Sequence, residues 1–397
     1  MNKLSTDSFY LLVISMLFAT SMITATTFIN VFIMRSTDNN VSLIIGRSIL
    51  DFSVLLITFV SGTKLLRYIK ITNIMRIGLL AISIYYILII VLQNHITAFI
   101  IPLGIFSGLG SGLYWFSTNI LLMEHVKPKQ QGKFFSYRQT AGFAFAVLIP
   151  FLSGIFITLF HDLTGYYILF GISISLFIIA AILLQKISGF KAHHEIKVLE
   201  ALFYRGSSSW AACKLLAFMA GLRESIIGFT TVLFVFLIFQ SEFYIGTLTS
   251  LSAFVGVISS LIFARIFNPK KRRNYYFLVA VISLSMYVLQ AVFPYPYVIV
   301  IVMIGLGIVA NWGSTIMQTM LYQLAFKTRG EEHKNAFLVS SEFPMAAGRI
   351  LGLVIALGLT QAFTEQLSAY RILFVVVGCT FVIEYLYVNR KVGWLSE

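Results

Sequence analysis

Gly108-Leu109-Gly110 leads on to Trp115, Ser117 and Thr118, and Gly305-Leu306-Gly307 leads on to Trp312, Ser314 and Thr315. Six of the eleven aligned positions are identical at a constant offset of 197, close to half of the 397 residues, and the matches include two of the four tryptophans. A phrase repeated at half the chain length predicts two homologous halves. Both copies lie inside apolar segments.

Around that phrase 58% of the residues are hydrophobic and 11% charged, a balance foreign to soluble domains. The chain therefore reads as a polytopic, all-helical membrane protein. Stretches of about 20 apolar residues cross a hydrocarbon core as helices. Twelve are predicted, at roughly 9–34, 41–60, 77–92, 96–123, 134–160, 166–185, 212–239, 245–266, 275–292, 297–325, 338–361 and 369–388. The first is too long for a signal-peptide core and lacks a clear cleavage site, so it is expected to stay as a helix.

Lys and Arg near helix ends are retained on the cytoplasmic side. The N-terminal tail, the loops leading from even to odd spans and the C-terminal tail carry 24 of the 29 basic residues, which predicts cytoplasmic termini. This bias, with anionic lipid headgroups, also accounts for the net charge of +14 without nucleic acid. The repeated phrase falls in spans 4 and 10, six apart and entering the membrane in the same direction. Each half is thus a six-helix bundle, 1–185 and 211–397, joined by a polar cytoplasmic linker at 186–210 containing Lys186, Lys191, His193, His194, Lys197 and Arg205.

Twelve spans as six plus six, cytoplasmic termini and a basic central loop resemble the major facilitator superfamily (MFS) of secondary transporters, over essentially the whole chain. The local motifs are more degenerate than the architecture. Gly62-Thr63-Lys64-Leu65-Leu66-Arg67-Tyr68-Ile69-Lys70 matches the loop between helices 2 and 3 at Gly62 and at two basic positions, Arg67 and Lys70. Leu66 replaces the family's acid and Ile69 its second Gly. The resemblance implies a cytoplasmic gate loop here, without the acidic half of its latch. Pro150, Ser153 and Gly154 partly match the helix 5 turn of bacterial 12-helix drug:proton antiporters, and equally suit a packing kink. Gly104, Gly108 and Gly112, and more briefly Gly348 and Gly352, recur every fourth residue and predict close helix contacts.

Charges inside the bilayer persist for a reason. Span 2 holds Arg47 and Asp51, span 7 Arg223 and Glu224, and span 11 Glu342 and Arg349. Arg47 and Asp51 are four apart and share a helix face, so they serve either as a mutual ion pair or in coupling. Arg223 and Glu224 point about 100° apart and need partners elsewhere. In the resembled family helices 1, 4, 7 and 10 line a central cavity, and the halves rock around a site near the midplane. The resemblance thus implies a cavity lined by Trp115, Asn119, Asn311, Trp312 and Gln318, beside Arg223 and Glu224. Glu224, Asp51 and Glu342 are, in that order, the candidate proton-coupling acids, with Arg47, Arg223 and Arg349 as charge partners. An aromatic cage beside these charges suits an amphiphilic or cationic organic molecule.

Other chemistry finds no footing. Cys213 and Cys379 form no metal or disulfide pattern, and His193-His194-Glu195 reads as a solvated loop. No phosphate-binding loop is present, and no cofactor is expected. His161-Asp162 raises a membrane acyltransferase, an enzyme reading that leaves the two halves unexplained. The chain is therefore expected to be a transporter, not an enzyme: a proton-coupled antiporter exporting small amphiphilic, drug-like molecules through a cell membrane, as a monomer among lipids. A nutrient importer for peptides or sugars is the alternative, followed by a lipid flippase or a sensor.

Overall fold

The computed structural model describes residues 4–37, 40–126, 128–160, 162–191, 208–328 and 334–392. His161, His193, His194, Glu195, Lys197, Arg205 and the side chain of Gln318 lie outside the described residues. Among the described residues, twelve helices are long and apolar enough to cross a membrane. They are α1 (Thr6–Ser36), α2 (Val41–Tyr68), α3 (Ile71–Leu92), α4 (Ile100–His125), α5 (Pro128–Thr158), α6 (Thr164–Leu183), α7 (Ser208–Phe239), α8 (Glu242–Ile266), α9 (Arg272–Val292), α10 (Pro296–Thr328), α11 (Lys334–Ala362) and α12 (Gln366–Tyr387).

These segments are helical because a spanning chain must satisfy its backbone internally. Their hydroxyls follow the same rule: Thr20, Thr24 and Thr27 each donate to the carbonyl four residues earlier, at 2.9, 2.8 and 2.7 Å. Large apolar side chains such as Ile57, Val91, Leu261 and Ile301 remain exposed, as a lipid-facing surface requires.

Contacts divide the chain into two compact units, Met1–Glu195 with Ile245–Thr247, and Ile196–Tyr244 with Leu248–Glu397. In the first, α4 packs on α2 and α3, α1 on α5 and α6, and α3 on α6. In the second, α7 packs on α11 and α12, and α9 on α10 and α12, which repeats the pairings of α1 and α3 six helices later. Arginines finish helix ends in both units. Arg76 of α3 donates to the Ala181 carbonyl of α6 at 3.2 Å, and Arg371 of α12 donates to Ala291 and Val292 at the end of α9. Each guanidinium meets terminal carbonyls that lack helical partners and carry the negative end of the helix dipole.

The glycine stripes are packing surfaces. A Cβ on Gly104 would strike Leu50, one on Gly108 the Asp51 carbonyl and Val54, and one on Gly112 Leu55 and Thr58, all in α2. Gly348 and Gly352 likewise abut Phe218, Leu222 and Ser225 of α7.

The repeated phrase is out of register between the units. Gly108 faces α2, but Gly305 faces Met286 of α9; Gly110 faces Gly78 and Ile82 of α3, but Gly307 faces Ser252 of α8. Gly307 thus does in α10 what Gly108 does in α4, an offset of 199 in place of 197. Two residues turn a helix by about 200°, so Trp115 and Trp312 do not occupy equivalent faces.

The expected gate loop is also mostly helix. α2 runs through Tyr68, so Gly62 and Arg67 belong to it, and only Ile69 and Lys70 separate it from α3. Gly62 is buried against the Phe116 ring of α4, where a Cβ would have no room. Arg67 lies in the last turn of α2, and Lys70 is the N-cap residue of α3.

Candidate functional site

In the second unit the adjacent charges of α7 go to different helices. Arg223 pairs with Glu384 of α12, whose side chain is 1% exposed, and its guanidinium lies 4.4 Å from the centroid of the Phe381 ring. Glu224 meets Arg349 of α11: Nε and one terminal nitrogen of the guanidinium donate to the same carboxylate oxygen, at 3.1 and 2.8 Å. Glu342, two turns before Arg349 on α11, stands within electrostatic range of both. The close approach that permits this comes from small residues, since Gly221 of α7 lies against the Met345 backbone while Gly348 and Gly352 lie against α7.

The two pairs differ in access. Arg223 and Glu384 are both enclosed, whereas Glu224 remains 56% exposed and Arg349 only 13%. The first can brace α7 against α12; in the second the Glu224 carboxylate is reachable without unpacking the helices. Glu384 was missed in the sequence because it sits near the end of its span. Its signal is a lone acid among Phe381, Val382, Ile383, Tyr385 and Leu386.

In the first unit Arg47 is 6% exposed and donates to Tyr85 Oη at 2.8 Å and to Asn30 Oδ1 and Ser48 Oγ at 3.3 Å. Neutral oxygens from three helices ligate the guanidinium, binding α2 to α1 and α3. The Asp51 carbonyl faces Gly108.

The cavity candidates separate as well. Trp115 is 39% exposed and lines a cavity of about 520 Å³ between α1, α4 and α5, with Phe18, Tyr114, Phe135, Phe143 and Phe145. Its volume lies in the range of small-molecule sites. Phe18 and Tyr114 stack, and both meet Trp115 edge-on, with centroids 5.8 and 5.5 Å away, so the indole is held in place. One lining residue is charged, Arg138 of α5. It escaped notice as one more basic residue near a loop, although it lies four positions inside the predicted fifth span. Asn119 is half-buried on α4 and is not among the lining residues.

Trp312 and Asn311 are engaged by α8. Trp312 stacks on Phe263, with centroids 4.6 Å apart, and donates to the Ser259 carbonyl at 3.3 Å; Asn311 donates to the Gly256 carbonyl at 3.0 Å. Their polar groups close a helix contact. Among the described residues no group of three or more His, Cys, Asp or Glu side chains is arranged to hold a metal ion.

Comparison with known proteins accords with this architecture. The chain is 26% identical to the Bacillus subtilis (strain 168) protein YqgE over 271 residues, which span 67% of this chain and 62% of YqgE. The alignment thus covers less than two thirds of that relative. Among solved structures, a proton-dependent oligopeptide transporter superposes with a TM-score of 0.73 at 13% identity, over 98% of both chains. The nucleoside transporter NupG gives 0.69 at 14% identity, over 97% of this chain and 98% of its own. An inward-facing bacterial homologue of the iron transporter ferroportin gives 0.69 at 14%, over 97% and 100%. At these identities the likeness is one of fold, and the three cargoes differ in chemistry. The model of the Major Facilitator Superfamily matches residues 9–341, so this chain belongs to that superfamily of membrane transporters and is not an enzyme.

Proposed function

We propose that the chain is a proton-coupled antiporter that exports small amphiphilic organic molecules through the cell membrane, working as a monomer with both termini in the cytoplasm. The observation that carries this reading is the accessible Glu224 carboxylate held by a largely buried Arg349. Protonating Glu224 discharges this pair, and Glu342, two turns away on the helix of Arg349, stands within electrostatic range. A buried cation is costly without a counter-charge, so protonation favours a rearrangement of α7 against α11. That is the link a transporter needs between proton binding and alternating access. Asp51 and Glu342 are secondary acids in this scheme. The aromatic cavity beside Trp115 supports an amphiphilic cargo, since stacked rings offer apolar contact with little hydrogen-bonding specificity.

Everted membrane vesicles carrying a pH-sensitive dye provide the test. Some members of a panel of amphiphilic acids, bases and neutral compounds should collapse the proton gradient in vesicles containing the parent chain. Glu224→Gln should slow that response at least ~10-fold, the scale of losing a positioned proton-transfer group. If no compound discharges the gradient and Glu224→Gln matches the parent in efflux, the antiport reading falls. Gradient-driven accumulation in right-side-out vesicles would assign import instead.

A further inference from the structure

Of the fourteen residues lining the α1/α4/α5 cavity, Arg138 is the single charged one. It stands ten residues into α5, about 15 Å along a helix about 46 Å long. The predicted fifth span begins at residue 134, so Arg138 lies about one turn inside that apolar segment. Among the described residues Arg138 makes no hydrogen bond or ion pair, unlike Arg47, Arg76, Arg223, Arg349 and Arg371, each of which is ligated by its own unit. Gly142, one turn further on the same helix face and also lining the cavity, has nothing within 4 Å of where its Cβ would stand. There is room beside the guanidinium, and aromatic rings flank it.

A half-buried cation with no hydrogen-bond or ion-pair partner among the described residues is open to an anion from outside the fold. A guanidinium presents a planar fork that matches an oxyanion with two parallel hydrogen bonds. An organic cation would meet like charge. We propose that this cavity selects amphiphiles bearing a carboxylate or another oxyanion: Arg138 takes the acidic group, and Phe18, Trp115, Phe135 and Phe143 hold the apolar body. This narrows the cationic or amphiphilic cargo expected from sequence to an anionic amphiphile. It rests on the transport reading only in taking the cavity to be where cargo binds.

Equilibrium dialysis of the purified chain in phosphatidylcholine nanodiscs, with no proton gradient, tests the inference using 1-naphthoic acid, 1-naphthamide and 1-naphthylmethylamine. The parent should bind the acid about 30-fold more tightly than the amide, the scale of a charge-assisted hydrogen-bonded pair, and the amine more weakly still. Arg138→Gln should reduce the acid to the level of the amide, while Arg138→Lys, which keeps the charge and loses the fork, should retain a several-fold preference. Trp115→Ala should weaken acid and amide alike. Equal affinity of the parent for acid and amide, no binding of the acid, or an unchanged ratio in a folded Arg138→Gln chain overturns the proposal. Because the parent's ratio needs no variant and no gradient, acid selectivity without gradient collapse would sink proton coupling alone. Gradient collapse without acid selectivity would sink this inference alone.

Discussion

Glu384→Ala will lower the unfolding free energy by about 3–5 kcal/mol, because it strands the enclosed guanidinium of Arg223 without its counter-charge. Arg223 is then left with the face of Phe381, which offers about 0.5–2 kcal/mol of cation–π attraction and no negative charge. Arg223→Ala should cost a similar amount from the other side. The double replacement Arg223→Met with Glu384→Leu should recover most of the loss, since a buried pair exchanged for apolar side chains of similar size is often neutral. Denaturant titration of the purified chain in detergent, arranged as a double-mutant cycle, measures the coupling. Single variants within about 0.5 kcal/mol of the parent would show that the pair does not hold α7 to α12. Glu224→Gln serves as the contrast. Its carboxylate is more than half exposed and water already screens the pair, so its stability loss should be smaller than that of Glu384→Ala although its transport defect is large.

Gly108→Leu should prevent stable packing of α2 on α4, costing about 3 kcal/mol or more through overpacking. Even the first added carbon would meet the Asp51 carbonyl, lie 2.8 Å from the Val54 Cβ and lie 3.0 Å from the Leu55 amide nitrogen. Two of those atoms are helical backbone, so the helices must separate to admit the side chain. Separation would also stretch the 3.3 Å bond from Thr58 Oγ1 to the Gly108 carbonyl. Gly171→Ala on α6 is the control, with nothing within 4 Å of its Cβ, and should stay within about 1 kcal/mol of the parent. Fluorescence-detected gel filtration after graded heating separates the two cases. A Gly108→Leu chain as heat-resistant as the parent would mean that α2 and α4 do not need this close approach.

Much of the site was hidden for reasons of geometry. Arg223 and Glu224 are conspicuous as charges in an apolar span, and their divergence follows from the 100° step of a helix. Nothing local says that one turns to α12 and the other to α11. Arg47 and Asp51 have ideal spacing for a pair, and that spacing gives no hint that Tyr85 and Asn30 also ligate the arginine, which they do because α1 and α3 pack around it. Trp115 and Trp312 share a sequence phrase and lie on different helix faces, because a small-residue stripe can slide two positions and still give its helix a smooth side. Gly62 resembles a loop glycine in the family motif, but here it is the point where Phe116 presses on a continuing helix.

The sequence by itself determined a twelve-helix membrane protein of major facilitator type. Hydropathy over about 20 residues is a local quantity, and a backbone crossing lipid has few solutions besides a helix. Only the tertiary structure decided which charges are enclosed and which remain accessible. It joined Arg223 to Glu384, left the Glu224 carboxylate accessible beside Arg349, and set Arg138 in an aromatic cavity with no hydrogen-bond or ion-pair partner among the described residues. Such distinctions depend on which neighbouring helix supplies a counter-charge or withholds one, a property of packing between segments up to 161 residues apart in the chain.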